Sequence, residues 1–211
     1  RIRLFECPDH DQDLIWSCAL RKDGSVAVGR YEGDIYYWTK QKKGWQRGKI
    51  QPSDQDASIG RVQFIEGTSR LVSSAQNGGI KVWDLKTGNC VHTVGNRECN
   101  GFYSTYDQTR NRVAIGTEDY GIHIYSLEEN QDGTLAQTDP VMILDGHTSD
   151  IYALDFSSKQ DMLASVAEDE YLHLWNLATG DPIYSFELDA SPRSVSFNHQ
   201  GNLITVGLQN G

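Results

Sequence analysis

The sequence predicts an all-β chain made of repeated four-stranded sheets, the blades of a β-propeller. Three observations lead there. Asp145 to Phe186 divides into four short apolar runs, Ile151 to Phe156, Met162 to Ala167, Tyr171 to Trp175 and Ile183 to Phe186, separated by turn-like gaps. Each run is too short for a buried helix and rich in β-branched or aromatic residues, which makes four antiparallel strands the economical reading. A lone sheet of that size exposes two apolar faces and needs neighbours of its own kind. Finally, an aromatic near the end of a short strand recurs at Trp38, Trp83, Tyr125 and Trp175, spaced by 42 to 50 residues, a period that marks propeller blades.

Taken in order, Ile2 to Phe5 reads as one strand of a blade whose other strands lie elsewhere, and Cys7 to Asp13 as an Asp-rich loop. A first repeat spans about 10–50. Its strands are Ile15 to Leu20, Val26 to Gly29, Ile35 to Trp38 and Trp45 to Ile50, with Asp23-Gly24 as a hairpin turn and Lys40 to Lys43 as a solvated basic loop. The second repeat, 53–94, places strands at Ile59 to Phe64, Leu71 to Ala75, Ile80 to Leu85 and Cys90 to Val94. Asn77-Gly78-Gly79 turns between two of them, because asparagine and glycine tolerate positive φ. The third, 96–144, has strands at Phe102 to Tyr106, Val113 to Thr117 and Ile122 to Leu127, then a polar surface insertion from Glu128 to Asp139 and an outer strand from Pro140 to Leu144. The fourth is 145–186. The fifth, 188–211, offers Arg193 to Phe197 and Leu203 to Gly207 and stops where a third strand is due.

Several of these residues together resemble the WD-repeat family: Gly146-His147, the small-residue strand Leu163-Ala164-Ser165, Asp169 and the closing Leu174-Trp175-Asn176. The stretch Gly78 to Leu85 carries the Trp83-Asp84 dipeptide outright. The resemblance covers essentially the whole chain, and the other repeats are degenerate. It implies a ring of about seven blades, of which these are a terminal strand, four blades and half of a fifth. An open arc leaves a bare edge and an unburied blade face, so the chain is expected to be completed by the remainder of its own propeller. The missing initiating Met agrees with a piece of something longer.

At 38% hydrophobic and 23% charged residues over 211, the composition is that of an ordinary globular protein. A formal net charge of −10 argues against a phosphate-tracking surface and favours protein partners with basic or mixed surfaces. Cys7, Cys18, Cys90 and Cys99 include no C-x-x-C pair and read as reduced thiols, with Cys18 expected to pack inward from its strand. With no N-x-S/T sequon, this leans toward cytoplasm or nucleus. No apolar run approaches the ~20 residues that span a bilayer, and the charged first residues are unlike a signal peptide.

His147, Ser165 and Asp169 invite a serine-hydrolase reading, since a triad is recognised by geometry rather than chain order. Ser165, however, is flanked by Ala164 and Val166 within a strand, with no glycine-rich elbow. In the family that the chain resembles, these three positions and Trp175 form a structural hydrogen-bond network: indole to hydroxyl, hydroxyl to imidazole, imidazole to carboxylate. Only the fourth repeat holds the full set. The histidines His10, His92, His123, His147, His173 and His199 include no H-E-x-x-H and no zinc-finger pairing with cysteine, and phosphate-binding Gly loops are absent. No metal or cofactor is expected. Asp9, Asp11 and Asp13 lack the glycine and distal glutamate of a calcium loop.

Trp16, Gly60, Phe102, Tyr152 and Arg193 each stand four residues before the end of the first strand of a repeat. The resemblance puts that place near the narrow face around the central channel, where partners dock. Trp16, Phe102, Tyr152 and Arg193 are side chains of the kinds that make binding hot spots, set against a packing role between blades. Arg193 stands out because arginine is rarely buried without a partner. The leading function is a non-catalytic scaffold or adaptor that assembles a multiprotein complex. Two alternatives are weighed against it: a substrate-recognition subunit of an F-box type ubiquitin ligase, and a propeller hydrolase or lyase with a channel site, for which Glu32, Glu118 and Glu168 fall near the same inter-strand loop. The paired arginines of phosphoinositide-binding propellers are absent.

Overall fold

The computed structural model describes residues 14–51, 58–76, 79–95 and 99–211, with side chains 99–102 left aside. The expected strand Ile2 to Phe5, the loop with Asp9, Asp11 and Asp13, and the Asn77-Gly78 turn lie outside the described residues. All described elements are strands. None of the described residues forms a helix long and apolar enough to cross a membrane.

Blade one comprises β1 (Ile15–Leu20), β2 (Val26–Arg30), β3 (Ile35–Gln41) and β4 (Gly44–Ile50). Blade two holds β5 (Ile59–Ile65), β6 (Arg70–Ala75), β7 (Gly79–Asp84) and β8 (Cys90–Val94). Blade three holds β9 (Cys99–Asp107), β10 (Arg112–Thr117), β11 (Ile122–Ser126) and β12 (Met142–Leu144). Blade four holds β13 (Ile151–Phe156), β14 (Met162–Ala167), β15 (Tyr171–Asn176) and β16 (Pro182–Glu187), followed by a two-stranded sheet of β17 (Pro192–Phe197) and β18 (Ile204–Leu208). Every sheet is an antiparallel meander with strands in chain order. Short strands joined mostly by tight turns favour this order.

The core lies between blades, not within them. Tyr37, Ile35 and Ile50 of blade one meet Leu71, Phe64 and Trp83 of blade two. Val82 and Ile80 of blade two meet Val113, Ile115 and Tyr125 of blade three. Ile124 and Leu144 of blade three meet Leu163, Leu154 and Trp175 of blade four, and Val166 and Leu172 of blade four meet Val195 and Val206. Period-two alternation sends neighbouring residues of one strand to different cores. In β10, Val113 and Ile115 turn to blade two while Ala114 turns to blade four. The second strand of each blade, buried on both faces, therefore reads as a continuous apolar run.

The structure corrects two local expectations. Lys40 belongs to β3, which runs on to Gln41 and pairs with Gly44, so only Lys42 and Lys43 form the turn; a two-residue connection extends the ladder through what composition alone marks as loop. Cys18 is exposed, as is Cys90, because β1 has a described blade on one side only and its alternation turns Cys18 to the other. The insertion after β11 lies on the surface as expected, and a few contacts anchor it. It folds back through a Glu129–Leu135 bridge, Leu135 packs on the core between blades two and three, and Arg70 and His92 of blade two both bond Glu129.

On blade four, Tyr184 and Phe186 stand opposite Leu174 and Leu172 in register. They extend the face that meets β17 and β18, and both are more than half exposed, at 58% and 51%.

A buried hydrogen bond crosses between blades one and two: the Tyr37 hydroxyl donates to the Leu85 carbonyl at 2.9 Å. It requires glycine at position 48, since a Cβ there would lie 2.0 Å from Tyr37 Cζ. In the full-length protein we expect Gly48→Ala to displace that ring and to cost about 1–3 kcal/mol in chemical denaturation. Tyr37→Phe, which keeps the packing and loses only the bond, should cost about 1 kcal/mol. Equal stability of Gly48→Ala and the unsubstituted protein contradicts this account of the tie.

Candidate functional site

Two constellations were legible in the sequence, one buried and one at the rim. The buried one sits where the loop before β13 meets β14 and β15. The Trp175 indole N–H donates to Ser165 Oγ at 2.8 Å, Ser165 Oγ lies 2.7 Å from His147 Nε2, and His147 Nδ1 lies 2.9 Å from Asp169 Oδ2. The directions follow from chemistry. A carboxylate only accepts, so His147 carries its proton on Nδ1 and donates to Asp169. Nε2 then accepts from the Ser165 hydroxyl, whose oxygen accepts from the indole. Asp169 also accepts the backbone N–H groups of Thr148 at 2.9 Å and Tyr171 at 3.0 Å. One carboxylate thus ties the incoming loop to the turn between β14 and β15.

Ser, His and Asp stand at distances that a hydrolase would use. Yet Ser165 has no exposed surface, and its hydroxyl is spent between indole and imidazole, which leaves no approach for a substrate carbon. Other blades hold fragments of the set. Trp83 Nε1 donates to Ser73 Oγ at 2.8 Å in blade two, and Thr117 Oγ1 bonds Asp119 in blade three, where Tyr125 takes the tryptophan place.

His173 joins the cluster unforeseen. Its ring lies 4.2 Å from that of His147, centroid to centroid, and its Nδ1 lies 2.7 Å from Ser185 Oγ. The signal was present, because His173 and Trp175 are two apart on one strand and share a face. His147, Asp169 and His173 bring one metal-capable atom each within 4.8 Å of one another. The bonds to Ser165, Ser185 and the Thr148 and Tyr171 amides already use this cluster as a hydrogen-bonded lock.

The rim constellation is built by the inner strands β1, β5, β9, β13 and β17, each of which carries a register shift near its start. The shift falls between Ile15 and Ser17, Ile59 and Arg61, Ile151 and Ala153, and Pro192 and Ser194. In β9 it widens to the residues between Asn100 and Ser104. Trp16, Gly60, Tyr152 and Arg193 are thus the unpaired bulge residues, and Phe102 lies within the wider bulge. A β-bulge leaves one residue out of the ladder and re-aims its side chain.

The structure brings some of these side chains together. The Arg193 guanidinium lies over the Tyr152 ring at 4.6 Å, and Arg193 Nη2 donates to Gln209 Oε1 at 2.9 Å. Tyr152 in turn meets Tyr103, with ring centroids 5.8 Å apart. Trp16, half exposed at 51%, stacks on Tyr31 at 6.1 Å. Tyr103 went unforeseen, because a widened bulge cannot be read from spacing. Of the three glutamates considered for a channel site, Glu168 accepts from Ser149 Oγ at 3.1 Å, and each lies in the turn after the second strand of its blade.

Burial pushes His147 down to about 4, against the pull of Asp169, and burial likewise lowers His173. Burial also acts to raise Asp169, but the Thr148 amide and His147 outweigh it and hold the carboxyl below its usual range. A histidine with a folded pKa below its unfolded value of 6.5 takes up its proton more readily when unfolded. Stability is then full above about 6.5 and falls as pH drops toward 4. The effect of His147 alone is on the order of 3 kcal/mol across that window. We expect the full-length protein to lose thermal stability from pH 6.5 to 4, and His147→Asn to flatten that slope while lowering stability at pH 7. An unchanged slope in the variant contradicts the assignment.

Residues 138–176 match the family model described as WD domain, G-beta repeat. Over 146 residues the chain is 30% identical to a protein LST8 homolog of Drosophila pseudoobscura pseudoobscura, covering 67% of this chain and 44% of that one. It is 26% identical to a guanine nucleotide-binding protein subunit beta of Dictyostelium discoideum, covering 72% of this chain and 40% of the relative. It is 25% identical to the transcriptional corepressor LEUNIG_HOMOLOG of Arabidopsis thaliana, covering 98% and 25%. The chain spans less than half the length of each. With four meander blades packed face to face, the Trp-Ser-His-Asp lock and these matches, the chain belongs to the WD-repeat family.

Proposed function

We propose that the chain is part of a non-catalytic interaction scaffold, which holds other proteins at the narrow face of a WD-repeat propeller. The observation that carries this reading is the recurrence of a bulge at the start of every inner strand. Packing alone would be served by regular strands. Bulges instead turn Trp16, Tyr152 and Arg193 out of their sheets, and aromatic and arginine side chains held in place are what hot spots are made of. Arg193 is pre-oriented by the Tyr152 ring and by Gln209, so little of its side-chain freedom remains to be lost on binding.

The spent Ser165 hydroxyl supports the absence of hydrolase chemistry at His147, Ser165 and Asp169. Two of the relatives are named a subunit and a corepressor, which supports a role inside assemblies. The charge of −10 suits partners with basic or mixed surfaces. Exposed free thiols at Cys18 and Cys90 suit a reducing compartment, cytoplasm or nucleus.

The test is affinity purification of the full-length protein with its bound partners. Arg193→Ala and Trp16→Ala are each expected to lower partner retention at least tenfold, about 1.4 kcal/mol or more, while thermal midpoints stay close to that of the unsubstituted protein. Full retention by both variants overturns the assignment of this face.

A further inference from the structure

From the same face we infer a second, more specific site: the cavity between blades three and four, walled by Tyr103 and Tyr120 and rimmed by Glu118 and Asp150, takes a cationic side chain, arginine foremost, from a basic partner segment. The inference rests on the scaffold reading for its biological sense and on different residues for its evidence. The cavity has a volume of about 230 Å³, room for one extended side chain and not for a metabolite of drug size. Gly116 and Ile151 line it, and a Cβ at position 116 would approach Ile151 Cβ to 3.0 Å.

Its chemistry is one-sided. Two tyrosine rings offer the negative faces that attract a cation, and two carboxylates stand at the mouth. Both carboxylates are solvent-exposed. The field at Tyr103 points the same way. Burial raises its phenol first, and Tyr152, Asp150 and Glu168 add to that, against Arg193.

The chain supplies its own precedent one blade on. Arg193 lies over Tyr152 at 4.6 Å, and Tyr152 touches Tyr103, so the row of rings continues from an occupied guanidinium position into the cavity. At the junction of blades four and five the arginine comes from the next inner strand. At the junction of blades three and four that strand supplies Tyr152 instead, and the described residues that line the acid-rimmed space beside Tyr103 include no lysine or arginine. A guanidinium suits the place better than an ammonium, because it is planar, stacks on aromatic rings and can bond a carboxylate with two N–H groups.

The test titrates fluorescein-labelled Gly-Ser decapeptides, bearing two central arginines, two lysines or two citrullines, into the full-length protein at low ionic strength. We expect the arginine peptide to bind and the lysine peptide to bind more weakly. The citrulline peptide, which keeps the shape and loses the charge, should bind at least tenfold more weakly than the arginine peptide. Glu118→Gln and Asp150→Asn should each weaken the arginine peptide at least fivefold, Tyr120→Ala likewise, and added salt should weaken it further. Equal binding of arginine and citrulline peptides, no binding of either, or full affinity in all three variants overturns the site. Loss of peptide binding with partners still dependent on Arg193 removes the cavity and leaves the scaffold. Pocket-dependent peptide binding with partners indifferent to Arg193 and Trp16 does the reverse.

Discussion

Each blade is a thin sheet with two apolar faces, and neither face can stay in water. That constraint sets most of what the structure contains. The second strand of a blade must be apolar on both sides, as in Leu71-Val72 and Leu163-Ala164, whose neighbours in sequence belong to different cores. The outer strands are free of it, and β16 has no buried residue. Stability is then shared between adjacent units in the manner of a repeat array. The large residues Trp83, Tyr125 and Trp175 sit on the face toward the preceding blade, where each fills the wedge between two sheets.

Polar groups appear in this apolar stack only where they fix something that packing leaves loose. The loop before β13 has no ladder of its own, and Asp169 and His147 pin it to the β14–β15 turn. Removing one member strands the others at about 1–3 kcal/mol each. The resemblance to a catalytic triad is a consequence of the same bonding preferences: serine, imidazole and carboxylate line up wherever a neutral histidine must satisfy both nitrogens. Burial that protects the lock also denies it a substrate. On the proposed reading, function is left to the rim, where a scaffold made rigid by its cores turns out a few side chains through bulges.

Strand positions were legible because burial on two faces writes a strong local pattern: runs such as Val113 to Thr117 and Met162 to Ala167 are bounded by turn residues and recur with the period of a blade. The lock was legible through family resemblance, since Ser165 and His147 stand 18 residues apart and meet only by folding. What the sequence could not convey is set by partners in space. Cys18 alternates like a core residue but faces the side of β1 where no described blade lies. Lys40 and Gln41 look like loop and are strand, because the ladder continues to Gly44. The bulges are a matter of register, which depends on both strands at once, so Trp16, Tyr152 and Arg193 were found by position without the reason that aims them. Tyr103 and His173 became visible only when neighbouring strands were in place.

The central claim is that the inner-strand bulges form the working surface of an otherwise structural fold. Amide hydrogen exchange on the full-length protein, alone and with its co-purified partners, tests it most directly, because protection reports contact along the backbone without altering a residue. The account predicts partner-dependent protection at the starts of β1, β9, β13 and β17 and in the turns that carry Tyr31 and Tyr120, with β4, β8, β12 and β16 unchanged. Protection confined to those outer strands, with the bulges exchanging as they do in the free protein, would contradict it.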